Sequence, residues 1–383
     1  MTTPDASGAH LDDAALARLR PLAFSVAYRM LGSVAEAEDV VQEALTRLSQ
    51  ADGVRNPDAF VTTVTTRIAI DVLRSARVRR ESYVGEWLPE PLVGPVDAHL
   101  PVAMATPPPD AAGHAELADD LSTAFLVLLE TLTPTERAAF LLHDVLGFPH
   151  SEAADVIGTS EVAARQLASR ARRRIANRRE AAAPGAGSTE PGSGHDAVAR
   201  HGAGAQQASG AQHGSGAPGA RRTTETHAEQ LVTRFLAACE DGAVDSFLEL
   251  LAQDVVLTGD SGGNVPPGMS IARSVVGQVP VARVLAGFMR RGAPLHFERA
   301  LVGGQPGLLI VADDVLGGGL VGTWSFEVAE EAAAAPGAPG TTTRLAAIRG
   351  VINPEKLRHL GPLADLTRLH EWLRTEGRRR TAR

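Results

Sequence analysis

Apolar residues recur at helical spacing through the first 180 residues of the chain. They share one face of a predicted helix from Val40 to Leu48, and Ser33 followed by Glu36 predicts a capping box at its start. Asn56-Pro57 predicts a second helix start, because asparagine caps well and proline suits the first helical position. The pattern indicates an all-α unit over residues 11–82.

A second all-α unit is predicted over residues 116–180. Thr133-Pro134-Thr135-Glu136 predicts a capped helix start, and a short helix, a turn at Gly158-Thr159-Ser160 and a longer helix together form a helix-turn-helix. We expect Val162 and Leu167 to point inward on the longer helix. Its outward face is either a solvated basic surface or a DNA-reading one, since its residue types donate to base edges and phosphates. These candidate DNA-binding residues are Ser160, Arg165, Gln166, Ser169, Arg170 and Arg173.

From residue 226 onward the pattern mixes helical and strand-like segments. Thr226 and Glu229 predict a capping box before one helix, and a second helix is predicted from Val244 to Leu251. Two helices followed by several strands predict an α+β domain over residues 226–375. The predicted strands are Val255–Thr258, Leu308–Ala312, Gly322–Val328 and Arg344–Val351.

Two segments are predicted to be linkers. Residues 181–225 consist mainly of small and polar residues that cannot offset the entropy of ordering, so we expect a disordered tether. Residues 83–115 contain Trp87-Leu88-Pro89-Glu90-Pro91-Leu92 and Pro107-Pro108-Pro109, whose prolines favour extended backbone. The predicted fold class is therefore multidomain, with two all-α units followed by an α+β domain.

Composition narrows the class of protein without assigning a function. Apolar residues make up 44% of the chain, which suffices for buried cores. No secretory signal pattern and no apolar run of about 18 residues occurs, and Cys239 is the only cysteine, so we expect a cytoplasmic protein that binds no membrane. The net charge of −8 argues weakly against nucleic-acid binding, but such binding depends on a local basic face.

Charged faces of the first all-α unit each have two interpretations. The acidic face with Asp39, Gln42 and Glu43 suits a basic docking partner, or simply compensates the helix dipole and aids solubility. The basic end of the last helix suits DNA phosphates, or the negative end of the same dipole. Periodicity does not choose between these interpretations. The candidate DNA-binding residues of that helix are Arg67, Asp71, Arg74 and Arg77.

These segments resemble the conserved regions of extracytoplasmic-function (ECF) sigma factors. Ala37–Leu45 is similar to the helix that binds core RNA polymerase, which implies polymerase contacts at Asp39, Gln42 and Glu43. Ile68–Arg74 resembles the segment that opens the −10 promoter element. The region that reads the −35 element is resembled by two further segments, Leu132–Arg137 and Ala164–Arg172. The resemblance implies that the partners are core RNA polymerase and double-stranded promoter DNA.

The remainder resembles the ECF subgroup with a fused, cone-shaped SnoaL-like domain. Its Trp-Leu-Pro-Glu-Pro-Leu motif is unchanged at Trp87–Leu92, and its Asp-Gly-Asp-Gly-Gly-Gly loop appears at Thr258–Gly263 with departures at Thr258 and Ser261. The resemblance implies that this domain regulates the sigma regions in cis, although the tether is longer than the family's usual connection. The third motif appears as Asn353-Pro354-Glu355-Lys356-Leu357.

Large apolar residues in a proline-stiffened linker predict a docking partner. We expect Trp87–Leu92 to dock on the C-terminal domain near Asp260 and Asn353–Leu357, or alternatively to pack on the adjacent all-α unit. The candidate interdomain residues are Trp87, Leu88, Pro89, Glu90, Pro91, Leu92, Asp260, Asn353, Pro354 and Lys356.

A SnoaL-like domain also raises the question of a pocket. Asp260 and His296 are the first polar candidates to line one, but Asp260 also suits a glycine-rich turn and His296 also suits strand alternation. No set of catalytic residues, metal ligands or cofactor contacts can be assembled from the sequence. Two other functions stay open: an enzyme fused to a DNA-binding module, and a repressor whose pocket binds an unknown small ligand.

Overall fold

The computed structural model describes residues 13–81, 83–94, 122–182, 218–332 and 341–381, without the side chains of 76–81, 179–182, 218–226, 331–332, 341 and 376–381. The first unit consists of three helices: α1 (Asp13–Leu31), α2 (Val34–Ser49) and α3 (Pro57–Glu81). The Asn56 side chain accepts a hydrogen bond from the Ala59 amide at 3.1 Å, which confirms the predicted start of α3.

The second unit begins with α4 (Thr123–Leu129) and α5 (Pro134–Phe140), which continues through a π-helical turn at Leu141–Val145. Both bonds of the predicted capping box between Thr133 and Glu136 are present. The helix-turn-helix follows as α6 (His150–Ile157) and α7 (Glu161–Ala182). Gly158 ends α6 with a φ of 77°, a left-handed conformation that glycine adopts without steric cost.

The expected inward position of Val162 is wrong, because its side chain is 66% exposed, and Leu167 is only half-buried. The buried face of α7 is formed instead by Ala164, Ala168, Ala171 and Ile175. These residues recur at intervals of three and four, and the small side chains of the three alanines allow α7 to approach α5 and α6 closely. Val162 lies outside that stripe and faces solvent.

The two helical units share one hydrophobic core instead of forming separate modules. Leu19 and Leu31 of the first unit belong to the same buried cluster as Leu129 and Ile175 of the second. Arg137 crosses the junction with 2% of its surface exposed. Its guanidinium donates to the Met30 carbonyl oxygen of α1, to the Leu129 carbonyl oxygen and to the Glu130 carboxylate, at 2.7, 2.7 and 2.9 Å.

The C-terminal domain packs helices against a seven-stranded sheet of order β1-β4-β5-β6-β7-β2-β3. Strand β2 pairs in parallel with β7, and the other neighbours are antiparallel. The helices are α8 (Pro218–Asp241), α9 (Val244–Leu248), α10 (Gln278–Arg290), α11 (Pro354–Leu357) and α12 (Leu366–Thr381). The strands are β1 (Val93–Gly94), β2 (Leu251–Asp260), β3 (Val275–Val276), β4 (Leu295–Val302), β5 (Gln305–Ala312), β6 (Leu320–Ala332) and β7 (Thr341–Val351).

All four predicted strands are present, and several boundaries differ. Helix α8 begins at Pro218, so Thr226 lies inside it and does not start it. Leu251, expected to end a helix, begins β2. Residues 183–217 of the expected tether and 95–115 of the expected linker lie outside the described residues. Strands β1, β3 and β4 were not predicted, and β1 and β3 are only two residues long, too short to carry an alternating pattern.

The junction between the helical units gives a stability prediction. Arg137→Met should lower the free energy of unfolding by about 1–3 kcal/mol, because buried carbonyl groups at Met30 and Leu129 lose their charged donor. Arg178→Met, on an exposed part of α7, is the control and should change stability by less than about 0.5 kcal/mol. Urea unfolding of the full chain, followed by circular dichroism, measures both. Equal midpoints for the two variants would contradict the buried junction.

Candidate functional site

The outward face of α7 presents the predicted basic and polar surface. The side chains of Ser160, Arg165, Gln166, Ser169 and Arg173 are exposed. The Ser160 hydroxyl caps the helix by accepting from the Ala163 amide at 3.2 Å, and Arg165 pairs with Glu161 at 2.7 Å in an exposed setting. An exposed ion pair of this kind contributes little stability, so Arg165 is free to exchange Glu161 for another anion.

Arg170 differs from its neighbours, because it is held against the protein. Its Nε lies 3.3 Å from the Glu136 carboxylate, and the Arg174 guanidinium lies 3.1 Å from the same group. Burial alone would raise the pKa of Glu136. Hydrogen bonds from Thr133 and the charges of Arg174 and Arg170 outweigh that effect and hold the Glu136 pKa below its ordinary value. Arg170 therefore anchors α7 to α5, a role that the sequence did not indicate.

Arg67 of α3 contacts the second helical unit, although its side chain is still partly exposed. Its guanidinium donates to the Val156 and Asp155 carbonyl oxygens at 2.9 and 2.7 Å. These carbonyls end α6, where the helix dipole favours a cation. Asp71 and Arg74 form an exposed ion pair at 3.1 Å farther along α3, and the Arg77 side chain lies outside the described residues.

The predicted polymerase-binding residues share one exposed face of α2. Asp39, Gln42 and Glu43 are all exposed, as expected for positions three and four residues apart. Glu43 pairs with Arg47 at 2.8 Å within the same helix. The opposite face, with Val40 and the other apolar residues of the helix, is buried in the shared core. The acidic face is therefore available to a partner.

A buried polar cluster joins the linker to the C-terminal domain; we call it the linker clamp. At its centre, the Asp260 carboxylate has no exposed surface. It accepts hydrogen bonds from the Tyr83 hydroxyl at 2.5 Å, the Leu88 amide at 2.7 Å and the Gly262 amide at 3.1 Å, and it pairs with Lys356 at 2.6 Å. The clamp comprises Tyr83, Trp87, Leu88, Asp260, Asn353 and Lys356.

Lys356 completes the clamp from α11. Its ammonium donates to the Leu88 carbonyl oxygen as well as to Asp260, and it lies 4.2 Å from the centre of the Trp87 ring. The Asn353 amide donates to the Tyr83 hydroxyl at 2.9 Å. Burial and then the hydrogen bond to Asp260 raise the pKa of Tyr83 well above its ordinary value, so its hydroxyl stays protonated. Pro354 occupies the first turn of α11, and Asn353 caps it.

The other side of the linker contacts the first helical unit. The Glu90 carboxylate accepts from the Ser33 hydroxyl at 2.8 Å and from the Val34 amide at 2.6 Å, and so caps the start of α2. The Tyr28 hydroxyl donates to the Glu90 carbonyl oxygen at 2.6 Å. The tip of the Trp87 ring lies so close to Gly32 that a side chain there would clash with it. The linker therefore makes both of the contacts that we had considered as alternatives.

The end of the linker becomes part of the sheet. Pro91 accepts at its carbonyl oxygen from His359 at 2.9 Å, and the Leu92 carbonyl oxygen accepts from the Gly303 amide at 2.8 Å. Val93 pairs with Val302 and Gly94 pairs with Leu301, which forms β1 against β4. Leu88 and Pro89 are buried. Trp87–Leu92 is therefore held between the first helical unit and the C-terminal domain.

Sequence reasoning missed several members of this site. Tyr83 lies outside the Trp-Leu-Pro-Glu-Pro-Leu motif and carries no local signal, and His359 lies beyond the motif at Asn353–Leu357. The interpretation of Asp260 as a turn residue is confirmed, because its carboxylate accepts from the Gly262 amide two residues on, but the sequence did not indicate that Asp260 is fully buried. His296 is exposed and pairs with Asp313 and Glu298; hydrogen bonding to Asp313 raises its pKa above the ordinary value. His296 is not among the residues that line the apolar cavity of the C-terminal domain.

Among the described residues, no group of three or more His, Cys, Asp or Glu side chains could hold a metal ion. No helix in the described ranges is long and apolar enough to cross a membrane.

Comparison with known proteins decides the family. The model described as Sigma-70 region 2 matches residues 16–79, and the one described as Sigma-70, region 4 matches residues 122–175. The chain is 39% identical over 293 residues to "ECF RNA polymerase sigma factor SigJ" of Mycobacterium tuberculosis (strain ATCC 25618 / H37Rv), an alignment that covers 76% of this chain and 78% of that protein. The chain belongs to the ECF RNA polymerase sigma factors.

Another relative and a solved structure support the same family assignment for this sigma factor. It is 32% identical over 229 residues to "Probable ECF RNA polymerase sigma factor SigI" of the same organism, which covers 59% of this chain and 62% of that protein. The crystal structure of M. tuberculosis SigJ superposes with a TM-score of 0.58 and 30% identity, covering 91% of this chain and 98% of that one. The predicted fold class is confirmed: helical sigma regions 2 and 4 precede a domain with a mixed sheet.

Membership in this family establishes the general function. The chain is a sigma factor that directs RNA polymerase to promoters and initiates transcription, and sigma factors bind core polymerase and promoter DNA. It is a transcription initiation factor and not an enzyme. The two alternatives, an enzyme fused to a DNA-binding module and a ligand-binding repressor, give way to the sigma factor.

The linker clamp gives a second stability prediction. Asp260→Asn and Lys356→Met should each lower the free energy of unfolding by about 3–5 kcal/mol, because each leaves a buried charge without its partner. The double variant should lose less than the sum of the two by about 0.5–3 kcal/mol. Chemical denaturation of all three variants measures the coupling.

The control is an exposed ion pair treated in the same way. Glu43→Gln and Arg47→Met, alone and together, should change stability by less than about 1 kcal/mol. Strictly additive losses for Asp260→Asn and Lys356→Met would contradict a direct buried pair.

Proposed function

We propose that the C-terminal domain regulates the sigma regions in cis through the linker clamp. One observation carries the proposal: the segment between sigma regions 2 and 4 is bound on one side by Tyr28 and Ser33 of region 2 and on the other by Asp260 and Lys356 of the C-terminal domain. Breaking the clamp contacts therefore changes the restraints on the linker, which sets the relative position of the two DNA-reading units.

The direction of this regulation is inhibitory. In the clamped arrangement Arg67 donates both of its described hydrogen bonds to the end of α6, and Arg137 is buried between the two units. Arg67 lies next to the segment assigned to opening the −10 element, so it reaches DNA only after regions 2 and 4 separate. Release of the linker from Asp260 lowers the cost of that separation.

The proposed contacts with polymerase and DNA are assigned mainly to side chains that are exposed on the helical units. Core polymerase binds the acidic face of α2 with Asp39, Gln42 and Glu43. The −10 element is opened by α3, along which Asp71, Arg74 and Arg77 follow Arg67 at intervals of three and four residues. The −35 element is read by Ser160, Arg165, Gln166, Ser169 and Arg173 of α7, while Arg170 supports that helix through Glu136. The protein acts in the cytoplasm, and its C-terminal domain is of the SnoaL-like kind.

The polymerase contact is tested by charge reversal. Asp39→Arg should weaken binding to core RNA polymerase by about tenfold or more while the fold survives, because Asp39 is exposed on α2. Glu240→Arg, an exposed reversal on α8, is the control for net charge and should bind as wild type does. Affinity for purified core polymerase, measured by fluorescence anisotropy, provides the comparison. Equal affinity for both variants would reject the α2 face.

Regulation in cis is tested by transcription in vitro. Trp87→Ala and Lys356→Met should each raise promoter-driven transcription, by about tenfold for every 1.4 kcal/mol lost from the clamped state. Combining them should add little, because both break the same clamp. Glu86→Ala, an exposed neighbour in the linker, should transcribe as wild type does.

Two results would overturn this proposal. Additive effects of Trp87→Ala and Lys356→Met would show that the residues act separately. A fall in transcription, with core binding unchanged, would show that the clamp activates the sigma factor.

A further inference from the structure

The C-terminal domain contains an apolar cavity of about 140 Å³ that the proposed function does not use. Strands of the sheet, α10 and α12 surround it. Its walls are aliphatic, aromatic and thioether side chains, among them Leu257, Phe288, Met289, Phe297, Ile310 and Trp324. Apolar walls of this kind favour an apolar ligand body over water.

The volume limits the size of that body. An apolar protein cavity of about 150 Å³ accommodates benzene. The cavity beside Trp324 is close to that value at about 140 Å³, so it fits one six-membered ring or a short branched chain. A steroid or a long acyl chain would not fit without movement of the walls.

One cation contributes to the lining. Arg291 follows the C-terminal end of α10, is exposed, and packs its guanidinium 5.6 Å from the centre of the Phe288 ring. The hydrogen bond that it donates to the Gly268 carbonyl oxygen is long, at 3.4 Å. Among the described residues, no carboxylate lies within 4.0 Å of this guanidinium. A guanidinium beside an apolar cavity suits a carboxylate that stays at the rim while its apolar body enters.

We propose that this cavity binds a small apolar monocarboxylate, of the size of benzoate. The ring fills the space beside Trp324 and Phe297, and the carboxylate pairs with Arg291. Neutral analogues of the same size share the apolar contacts and lack the ion pair. The site should therefore bind a carboxylate more tightly than the corresponding amide, whereas a purely hydrophobic cavity would not favour the charged compound.

The cavity adjoins the linker clamp along β2 and along the segment that follows β7. Thr258 and Gly259 line it on β2, and the next residue is Asp260. On the neighbouring chain segment Ile352 lines it, its amide donates to the Asp260 carbonyl oxygen at 2.8 Å, and the next residue is Asn353. A ligand therefore touches the residues directly before both of these clamp residues. We infer that its binding shifts the clamp, an effect that rests on the proposed regulation in cis.

Binding itself is tested by calorimetry on the full chain. Benzoate should bind saturably, and benzamide should bind about three- to tenfold more weakly, because it lacks the charge that pairs with Arg291. Arg291→Gln should weaken the binding of benzoate by a similar factor and leave the affinity for benzamide unchanged. Arg290→Gln removes the adjacent exposed charge, which does not line the cavity, and should bind benzoate as wild type does.

A second variant tests the location. Ala293→Leu fills part of the cavity and should weaken benzoate and benzamide alike, with the melting temperature as the check on folding. No saturable binding of either probe to wild type would overturn the site. Equal affinity of benzoate for Arg291→Gln and Arg290→Gln would overturn the assignment of the carboxylate to Arg291.

Coupling to the clamp has its own readout. Because linkage is reciprocal, Trp87→Ala should change the affinity for benzoate by the same factor by which benzoate changes the clamp equilibrium. An unchanged benzoate affinity in Trp87→Ala would overturn the coupling and leave the binding site standing. Failure of the cis regulation is seen separately, in transcription by the same variant without benzoate.

Discussion

The buried ion pair between Asp260 and Lys356 is the constraint on which the arrangement of the chain depends. A carboxylate without exposed surface is costly unless donors surround it, and the linker supplies two of the four donor groups around Asp260. Removing the linker would leave both charges short of partners. The buried pair therefore fixes the position of the linker. Because the linker connects sigma regions 2 and 4, it also constrains where those regions lie.

The linker transmits this constraint because both of its sides are occupied. Pro89 and Pro91 keep the backbone extended at low entropic cost, and a polyproline-type backbone, with about three residues per turn, points its side chains in several directions. Leu88 packs with Leu320 and Leu357 of the C-terminal domain, while Glu90 caps α2. A segment held on two sides couples the domains more stiffly than a tether alone would.

The sequence predicted what depends on local pattern. The capping box at Thr133, the helix-turn-helix and the four predicted strands rest on residues a few positions apart, and the structure confirms them. The docking of Arg67 on α6 joins residues 89 apart, and Tyr83 meets Asp260 across 177 residues. Such pairs have no periodic signature. The wrong position predicted for Val162 has a simpler cause. Its hydrophobicity indicated burial, but the buried face of α7 is the alanine stripe that permits close helix packing, and Val162 lies outside it.

The separation of the clamp along the chain has a consequence during synthesis. Lys356 reaches Leu88 across 268 residues, so the linker leaves the ribosome long before its partner does. At about 5–20 residues per second, that delay lasts roughly 10–50 s. Through this interval sigma region 2 and its linker exist without the domain that holds them. Each newly made molecule therefore passes through an unclamped stage whose length is set by translation speed and not by any signal.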